Sequence, residues 1–424
     1  MKSDVKMKRV AVRLGGGRGY SVEIGAGALA ELGRVARASL SADARRVALV
    51  SNPRVFALYG GRAVESLRAA GLDVAHWLMG DGERFKSLRT AERALEFLSA
   101  SKLERSDAVV ALGGGVVGDL AGFAAAVYLR GVAFVQVPTT LLAQIDSSVG
   151  GKTGVNTRAG KNLVGAFHQP AAVVVDTETL RTLPARELTA GWCEAIKQGA
   201  VGDEKLFERT RKFLEAEAKR KAQRSNRKSD AFVVARGGGA SRRGGERQSL
   251  RVENGRGGDD QEGRREEELA RIIAAQCAFK AEIVAGDERE DLGRDDARSR
   301  RVLNFGHTVG HALESVTGYR RFRHGEAVGH GMLAAAEISK RLALLGASEL
   351  ESLRGAVRLA GRLPSASDLD VEAVCGALRA DKKSVGGSVR WVLLEGIGRA
   401  RVVDGREVPD AVVRESVRAA LATS

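Results

Sequence analysis

Four of the six histidines in this 424-residue chain fall within 24 residues: His307, His311, His324 and His330. Neutral imidazole is the commonest protein ligand for transition metals. His307 and His311 are four positions apart and so share a helix face. Asn304 and Glu326 stand close by in the sequence. The HxxxH spacing lacks the glutamate of HExxH, so a zincin-type protease is not indicated. A zinc ion that performs chemistry needs three protein ligands and one open position. Two histidines and a carboxylate would serve, and the residues alone leave the carboxylate open. Glu194, in the apolar helical segment 191–199, is the best candidate. The plain alternative is a salt bridge between Glu194 and Lys197.

Three further groups could bind anions. The segment GGGVVGD (113–119) follows an apolar strand pattern and opens a helix, with Gly113, Gly115 and Gly118 at GxGxxG spacing. Glycines let backbone N–H groups approach a pyrophosphate at a helix N-terminus. The acidic residue expected about twenty positions later is missing, so the ordinary Rossmann fingerprint is incomplete. The second group is the glycine-rich stretch 138–165, which carries Thr139, Thr140, Asp146, Lys152, Asn156, Lys161 and Asn162. Fixed polar donors around lysines suit a phosphorylated ligand; the alternative is a long surface loop with solvated lysines. The third group is Lys280, Arg300 and the triplet Asp381-Lys382-Lys383. These would gather an anionic substrate, or would simply be solvated helix faces.

The elements that must position these residues divide in two. Up to residue 183 apolar runs at 46–50, 72–78, 107–112, 132–137 and 171–176 read as strands. Amphipathic stretches at 63–70 and 87–99 read as helices between them, and Ser51-Asn52-Pro53 is a helix-start signal. Alternating strands and helices imply a parallel sheet. From residue 184 the pattern changes to helices at 269–283, 308–317, 327–345 and 349–360, with no strand until 389–394. The expected organisation is an α/β domain over 1–183 and a helical domain over 184–424. Residues 217–258 carry 12 Lys/Arg against 4 Asp/Glu, with one aromatic, Phe232, and several glycine runs. This composition predicts a disordered basic insertion over about 217–265. It supplies about half of the net charge of +15. With a single aromatic for stacking it makes a poor nucleic-acid binder. Three cysteines, none in a CxxC pair, exclude a disulfide framework and point to a reducing, cytoplasmic setting. No apolar run is long enough to span a bilayer, and the first residues lack the apolar core of a signal peptide.

Taken together, GGGVVGDLAGFAAAVYLRG (113–131), VPTTLLAQIDSSVGGKTGVN (137–156), GKNLVGAFHQP (160–170), CEAIKQG (193–199), KAEIVAGDERE (280–290), LNFGHTVGHALE (303–314), HGEAVGHGM (324–332) and DKK (381–383) resemble the 3-dehydroquinate synthases, members of the sugar phosphate cyclases. The resemblance covers nearly the whole chain outside the basic insertion. It implies an NAD-binding α/β domain with a parallel sheet followed by an all-α metal- and substrate-binding domain. It implies conversion of 3-deoxy-D-arabino-heptulosonate 7-phosphate to 3-dehydroquinate and phosphate in a homodimer. The metal ligands would be Glu194, His307 and His324, holding zinc or cobalt. NAD would contact Asn52, Glu83, Lys86, Gly114, Gly115, Asp119, Thr139, Thr140, Lys161 and Thr182. The substrate would contact Asp146, Lys152, Asn162, Lys197, Lys280, Arg300, Asn304, His311 and one lysine of the triplet, Lys382 or Lys383, with Arg130 lent across the dimer interface. A second insertion over 292–297 leaves Arg294 and Arg301 as rivals of Arg300. The nearest competing reading is a cyclase acting on sedoheptulose 7-phosphate; retention of Lys280, Asn304 and His311 favours a carboxylated substrate. A metal-dependent alcohol dehydrogenase of the glycerol type is more distant.

Overall fold

The computed structural model describes residues 6–237, 256–291, 293–294, 296, 299–384 and 389–422. Strands β1 (Lys8–Arg13), β2 (Gly19–Gly25), β3 (Arg46–Ser51), β4 (Asp73–Leu78), β5 (Ala108–Gly113), β6 (Ala133–Pro138), β7 (Lys152–Thr157), β8 (Gly160–Phe167) and β9 (Ala172–Asp176) come first. Seven of them form one sheet in the order β1-β2-β9-β6-β5-β3-β4. The β1–β2 pair is antiparallel and every other pair is parallel. The five strands read from apolar runs are β3, β4, β5, β6 and β9, each within one residue of its expected bounds at either end.

Alternation along these strands makes two cores. Val47, Leu49, Val110 and Leu112 pack on one face with helices Leu32–Ser39 and Gly61–Ala69. Ala48, Val50, Val109 and Ala111 pack on the other with helices Leu88–Ala100 and Gly115–Val127. A parallel sheet covered on both faces is largely apolar along its inner strands, which is why β3, β5, β6 and β9 are nearly continuous hydrophobic runs, while β4 at the edge carries Asp73 and His76. The edge hairpin β1–β2 lacks a continuous apolar run because one face of β1 is exposed, with Arg9 and Arg13 on it.

The stretch 138–165 is not the long loop that its polar residues suggested. A helical turn at Ala143–Ser147 leads into the β7–β8 hairpin. Glycines make this hairpin: a Cβ on Gly165 would lie 2.1 Å from the Thr153 carbonyl oxygen, and one on Gly154 2.7 Å from that of Val164.

After Pro184 the chain is helical. Helices Ala185–Gly202, His307–Val316, His324–Arg341 and Ala347–Ala360 pack around one apolar core, completed by a two-stranded hairpin, β10 (Arg390–Gly396) and β11 (Arg399–Asp404). The predicted disorder over about 217–265 is corrected where the structure describes it. Helix Glu204–Gly237 runs through 217–237, and helix Arg256–Gly286 begins well before 265. Residues 238–255 lie outside the described residues. Alanine and long straight-chain side chains favour helix whatever their charge. Glu217 also receives Arg265 at 2.9 Å and Arg220 at 3.3 Å, so the basic residues near the helix pair are partly neutralised.

Candidate active site

The carboxyl ends of β3, β4, β5, β6 and β9 open into one cleft of about 1910 Å³ between the sheet and the helical half. Such ends are where open α/β sheets bind ligands. Asn52 follows β3; Glu83 and Lys86 follow β4; Gly114, Gly115 and Asp119 follow β5; Thr139 and Thr140 follow β6; Thr182 follows β9. All nine line the cleft. Gly114 caps helix Gly115–Val127, leaving its first N–H groups facing the groove. Gly118 allows that helix to lie on the sheet, since a Cβ there would sit 2.7 Å from Gln136 Oε1. Lys86 is buried and donates to Asp119 Oδ2 and Asn162 Oδ1, both at 2.5 Å. Burial outweighs the nearby ammonium and raises the Asp119 carboxyl above its ordinary value.

The opposite wall comes from the helices. Helix Ala185–Gly202 is buried from Thr189 to Val201 and presents Glu194 and Lys197 one turn apart. His307 is the first residue of its helix and His324 the first of the next. Glycines let these helices come close: a Cβ on Gly325 would lie 2.0 Å from the Ala190 carbonyl oxygen. As a result, Nε2 of His307 and of His324 lie 3.8 and 3.7 Å from Glu194 Oε1. A tetrahedral ion about 2.0–2.1 Å from each donor separates its ligands by roughly 3.3–3.5 Å, so these three fit one metal. Both Glu194 oxygens are buried without a well-aligned hydrogen bond, although Lys197 Nζ stands 2.6 Å from Oε2. His307 Nδ1 faces the Phe305 carbonyl oxygen at 3.3 Å, and His324 Nδ1 faces Glu314 Oε2 at 3.2 Å. Each Nδ1 is thereby the donor, which turns the Nε2 lone pair toward the carboxylate. Burial, with Lys197 and the other imidazoles, lowers His307 well below its usual value, so that ring is neutral. Burial also opposes charge on His324, but the Glu314 hydrogen bond and the Glu194 carboxylate outweigh it and raise that ring.

Sequence patterns did not single out Glu314. It lies two helical turns after His307, and it also forms a metal-sized group with His311 and His324. Because the Glu314 oxygens already face Lys161 and His324, the Glu194 group offers the better-prepared ligands. His330 is a further correction, since it leaves the histidine cluster. It is buried, its Nε2 lies 3.0 Å from the Pro364 carbonyl oxygen, and its ring meets Phe322 edge-on. Six residues of helix rotate it away from the face that carries His324.

Cations gather between the two walls. Asp146 accepts from Lys280 and lies 3.7 Å from Lys197. Burial opposes its ionisation, but those two ammonium groups hold it far below the usual carboxylate range. Lys197 is pulled down by burial and raised more strongly by Glu194 and Asp146, so it stays charged. Lys152 pairs with Glu290 at 2.5 Å. Arg300, Asn304 and His311 line the same cleft. Of the three rival arginines, Arg300 is the one on the cleft wall. Asp287 explains how it gets there across the insertion: its Oδ1 accepts from the Asp291 N–H at 2.7 Å and its Oδ2 from the Arg300 N–H at 2.9 Å. The Arg300 guanidinium also donates to the Gly150 carbonyl, close enough that a Cβ on Gly150 (φ +104°) would meet it at 2.5 Å. Arg130 lies on an exposed turn beyond helix Gly115–Val127 and does not line its own cleft. Lys382 lies outside the residues whose side chains are described.

Residues 76–190 match the model for the 3-dehydroquinate synthase N-terminal domain, and residues 252–384 match the C-terminal one. The chain is 41% identical over 374 residues to the 3-dehydroquinate synthase of Nostoc punctiforme, covering 88% of this chain and 89% of that one. It is 41% identical over 401 residues to that of Bordetella pertussis, covering 95% and 96%. This chain belongs to the 3-dehydroquinate synthase family. Among solved structures it shares its fold with a 2-epi-5-epi-valiolone synthase from Streptomyces hygroscopicus with NAD+ and Zn2+ bound. There the TM-score is 0.75, with 24% identity, over 96% of this chain and 97% of that one. A 2-deoxy-scyllo-inosose synthase complexed with carbaglucose-6-phosphate, NAD+ and Co2+ follows at TM-score 0.70 and 22% identity, covering 97% and 99%. The 3-dehydroquinate synthase relatives are thus much closer in sequence than these other cyclases. Among the described residues no helix is long and apolar enough to cross a membrane.

Proposed function

We infer that this protein is a carbon–oxygen lyase, a 3-dehydroquinate synthase that closes 3-deoxy-D-arabino-heptulosonate 7-phosphate to 3-dehydroquinate with loss of phosphate. The observation that carries this reading is one cleft in which a glycine-ended strand, a Glu–His–His group and a set of buried cations face each other. The relatives' shared name supplies the reaction. When bound, NAD removes and returns a hydride and a divalent ion such as zinc or cobalt polarises the reacting oxygen.

Glu194, His307 and His324 would hold the ion. Lys197 and Lys280 together balance the Glu194 and Asp146 carboxylates. The glycine turn at 114–115 with Asp119, Thr139, Thr140, Lys161 and Thr182 would line the dinucleotide, with Asn52, Glu83 and Lys86 along its rim. Lys280 and Arg300 would meet the substrate carboxylate, with Asn304 and His311 beside it. Lys152 and Asn162 would meet its phosphate. Fixed cations of this kind hold a flexible sugar acid in one conformer, so that elimination and aldol closure occur without release of reactive intermediates. Lys382 belongs to this shell in our reading. Arg130, exposed beside Val127 and Leu129, would reach the phosphate of a second subunit in a homodimer. We assign residues 1–183 to the nucleotide-binding domain and 184–424 to the metal- and substrate-binding one. We place the enzyme in the cytoplasm, where its three unpaired cysteines stay reduced.

The test is to incubate the purified protein with this heptulosonate phosphate and NAD, with and without a chelator, and to follow phosphate. Phosphate release that stops on chelation, with no net NADH, is expected. Accumulating NADH would sink the reading in favour of a dehydrogenase. Turnover of sedoheptulose 7-phosphate but not of the carboxylated sugar would sink it in favour of another cyclase.

A further inference from the structure

We propose that Glu314 is a positioning residue for the metal site, and that Lys161 on the β7–β8 hairpin acts on the metal through it. The proposal rests on the reading of Glu194, His307 and His324 as metal ligands.

Glu314 is 3% exposed, and its two oxygens are divided between two partners. Oε2 accepts from His324 Nδ1 at 3.2 Å, and Oε1 accepts from Lys161 Nζ at 3.1 Å. The first contact fixes the tautomer and rotation of the His324 ring, the ordinary work of a carboxylate behind a metal-binding imidazole. The second has no such ordinary reading. Lys161 belongs to β8, on the sheet side of the cleft, and reaches across to a helix of the other half. Its ammonium also lies 4.2 Å from the centre of the Tyr319 ring, so a carboxylate and an aromatic face hold it at this point.

The next residue, Asn162, points the other way. Its Oδ1 accepts from Lys86, which in turn donates to Asp119 beside the glycine turn. Asn162 is in the left-handed region (φ +57°), beside a register shift of the hairpin, so the Lys161 ammonium meets Glu314 while the Asn162 amide turns to Lys86. The Glu314 carboxylate needs a cation once His324 is neutral and bound to metal, because an unpaired buried charge is costly. Lys161 is the cation that the structure supplies. Removing it should therefore weaken the grip on the metal although it touches none of the three ligands.

The experiment is a metal-affinity titration of the full-length enzyme against a chromophoric chelator. It is paired with the visible spectrum of the cobalt-loaded protein and with the thermal midpoint of the metal-free protein. E314A is expected to lose about 10- to 100-fold in metal affinity. E314Q, which keeps an acceptor for Nδ1–H, should recover most of that loss, and the metal-free midpoints should stay together. K161M should lose several-fold by itself and add nothing in the E314A background. Wild-type affinity in E314A would overturn the proposal, and additive K161M and E314A losses would overturn the role of Lys161. H307A separates the two levels of the argument. If H307A and E314A leave metal binding intact, the metal-site reading itself fails. If H307A removes the metal and E314A does not, only the Glu314 proposal fails. Loss of metal in E314A with H307A unaffected would make Glu314 a ligand and overturn the proposal in that form.

Discussion

Replacing Gly325 with alanine tests whether helix spacing sets the metal group. Gly325 follows His324, and a Cβ there would stand 2.0 Å from the backbone oxygen of Ala190, four residues before Glu194. A carbon needs roughly 3.5 Å from such an atom, so the helices must part by about 1 Å or more. Overpacking of this kind costs about 1–3 kcal/mol. The local consequence is sharper, because metal–ligand distances tolerate only about ±0.2 Å. The Glu194–His324 separation is 3.7 Å, with little room to widen. A loss equal to that strain is a fall of about 5- to 150-fold in metal affinity, at 1.4 kcal/mol per decade. The assay is chelator competition, with NADH binding by fluorescence as the internal control, since the nucleotide groove lies at the strand ends. G355A is the matched control, because nothing lies within 4 Å of that Cβ; it should be neutral or stabilise by about 0.5–1 kcal/mol. If G325A binds metal as tightly as wild type, close helix approach is not what sets the ligand spacing.

Three further perturbations have definite outcomes. Lys280→Met removes a buried charge-assisted donor worth about 1.5–3 kcal/mol, so kcat/KM should fall about 10- to 100-fold; steady-state kinetics with unchanged NADH binding would show it. Asp107 accepts the N–H groups of Glu104, Arg45 and Arg46 at 2.8–2.9 Å; burial opposes its charge, yet these donors lower its carboxyl below the usual value. Its stabilising effect is therefore complete above about pH 4 and is lost as pH falls through the depressed value, and Asp107→Asn should flatten acid denaturation curves in that window. Arg186 holds the fully buried Glu326 with two hydrogen bonds of 2.8 and 2.6 Å while remaining half exposed itself. Arg186→Ala should therefore cost about 1–3 kcal/mol by denaturant unfolding, and more than Glu326→Gln, because only the arginine variant strands a buried charge.

Much of the architecture is local in origin and could be read from the chain. Strands β3, β5, β6 and β9 are buried almost throughout because both sheet faces are covered, whereas β4 at the sheet edge carries Asp73 and His76, and GGGVVGD marks a strand-to-helix turn through its glycines alone. The β7–β8 hairpin was hidden because its glycines serve backbone approach and its side chains are polar. The helical run into 217–237 was hidden because charge and glycine content suggested disorder, whereas straight-chain residues and ion pairs such as Arg265–Glu217 support helix. His330 shows the limit of proximity in sequence: six residues from His324, it faces Pro364 in the core.

Residue types and order therefore determined the sheet, the helical second half, and the chemistry available to it: imidazoles, a choice of carboxylates, and cations among glycines. Only the tertiary structure decided that Glu194 meets His307 and His324, that Arg300 and not Arg294 or Arg301 lines the cleft, and that Glu314 joins Lys161 to His324. The physical reason is that those choices depend on distances between separate elements, in the case of Glu194 with His307 and of Lys161 with Glu314 more than one hundred residues apart in the chain. Such distances are set by backbone contact at positions like Gly325 and by caps like Asp287, neither of which carries a local periodic signal.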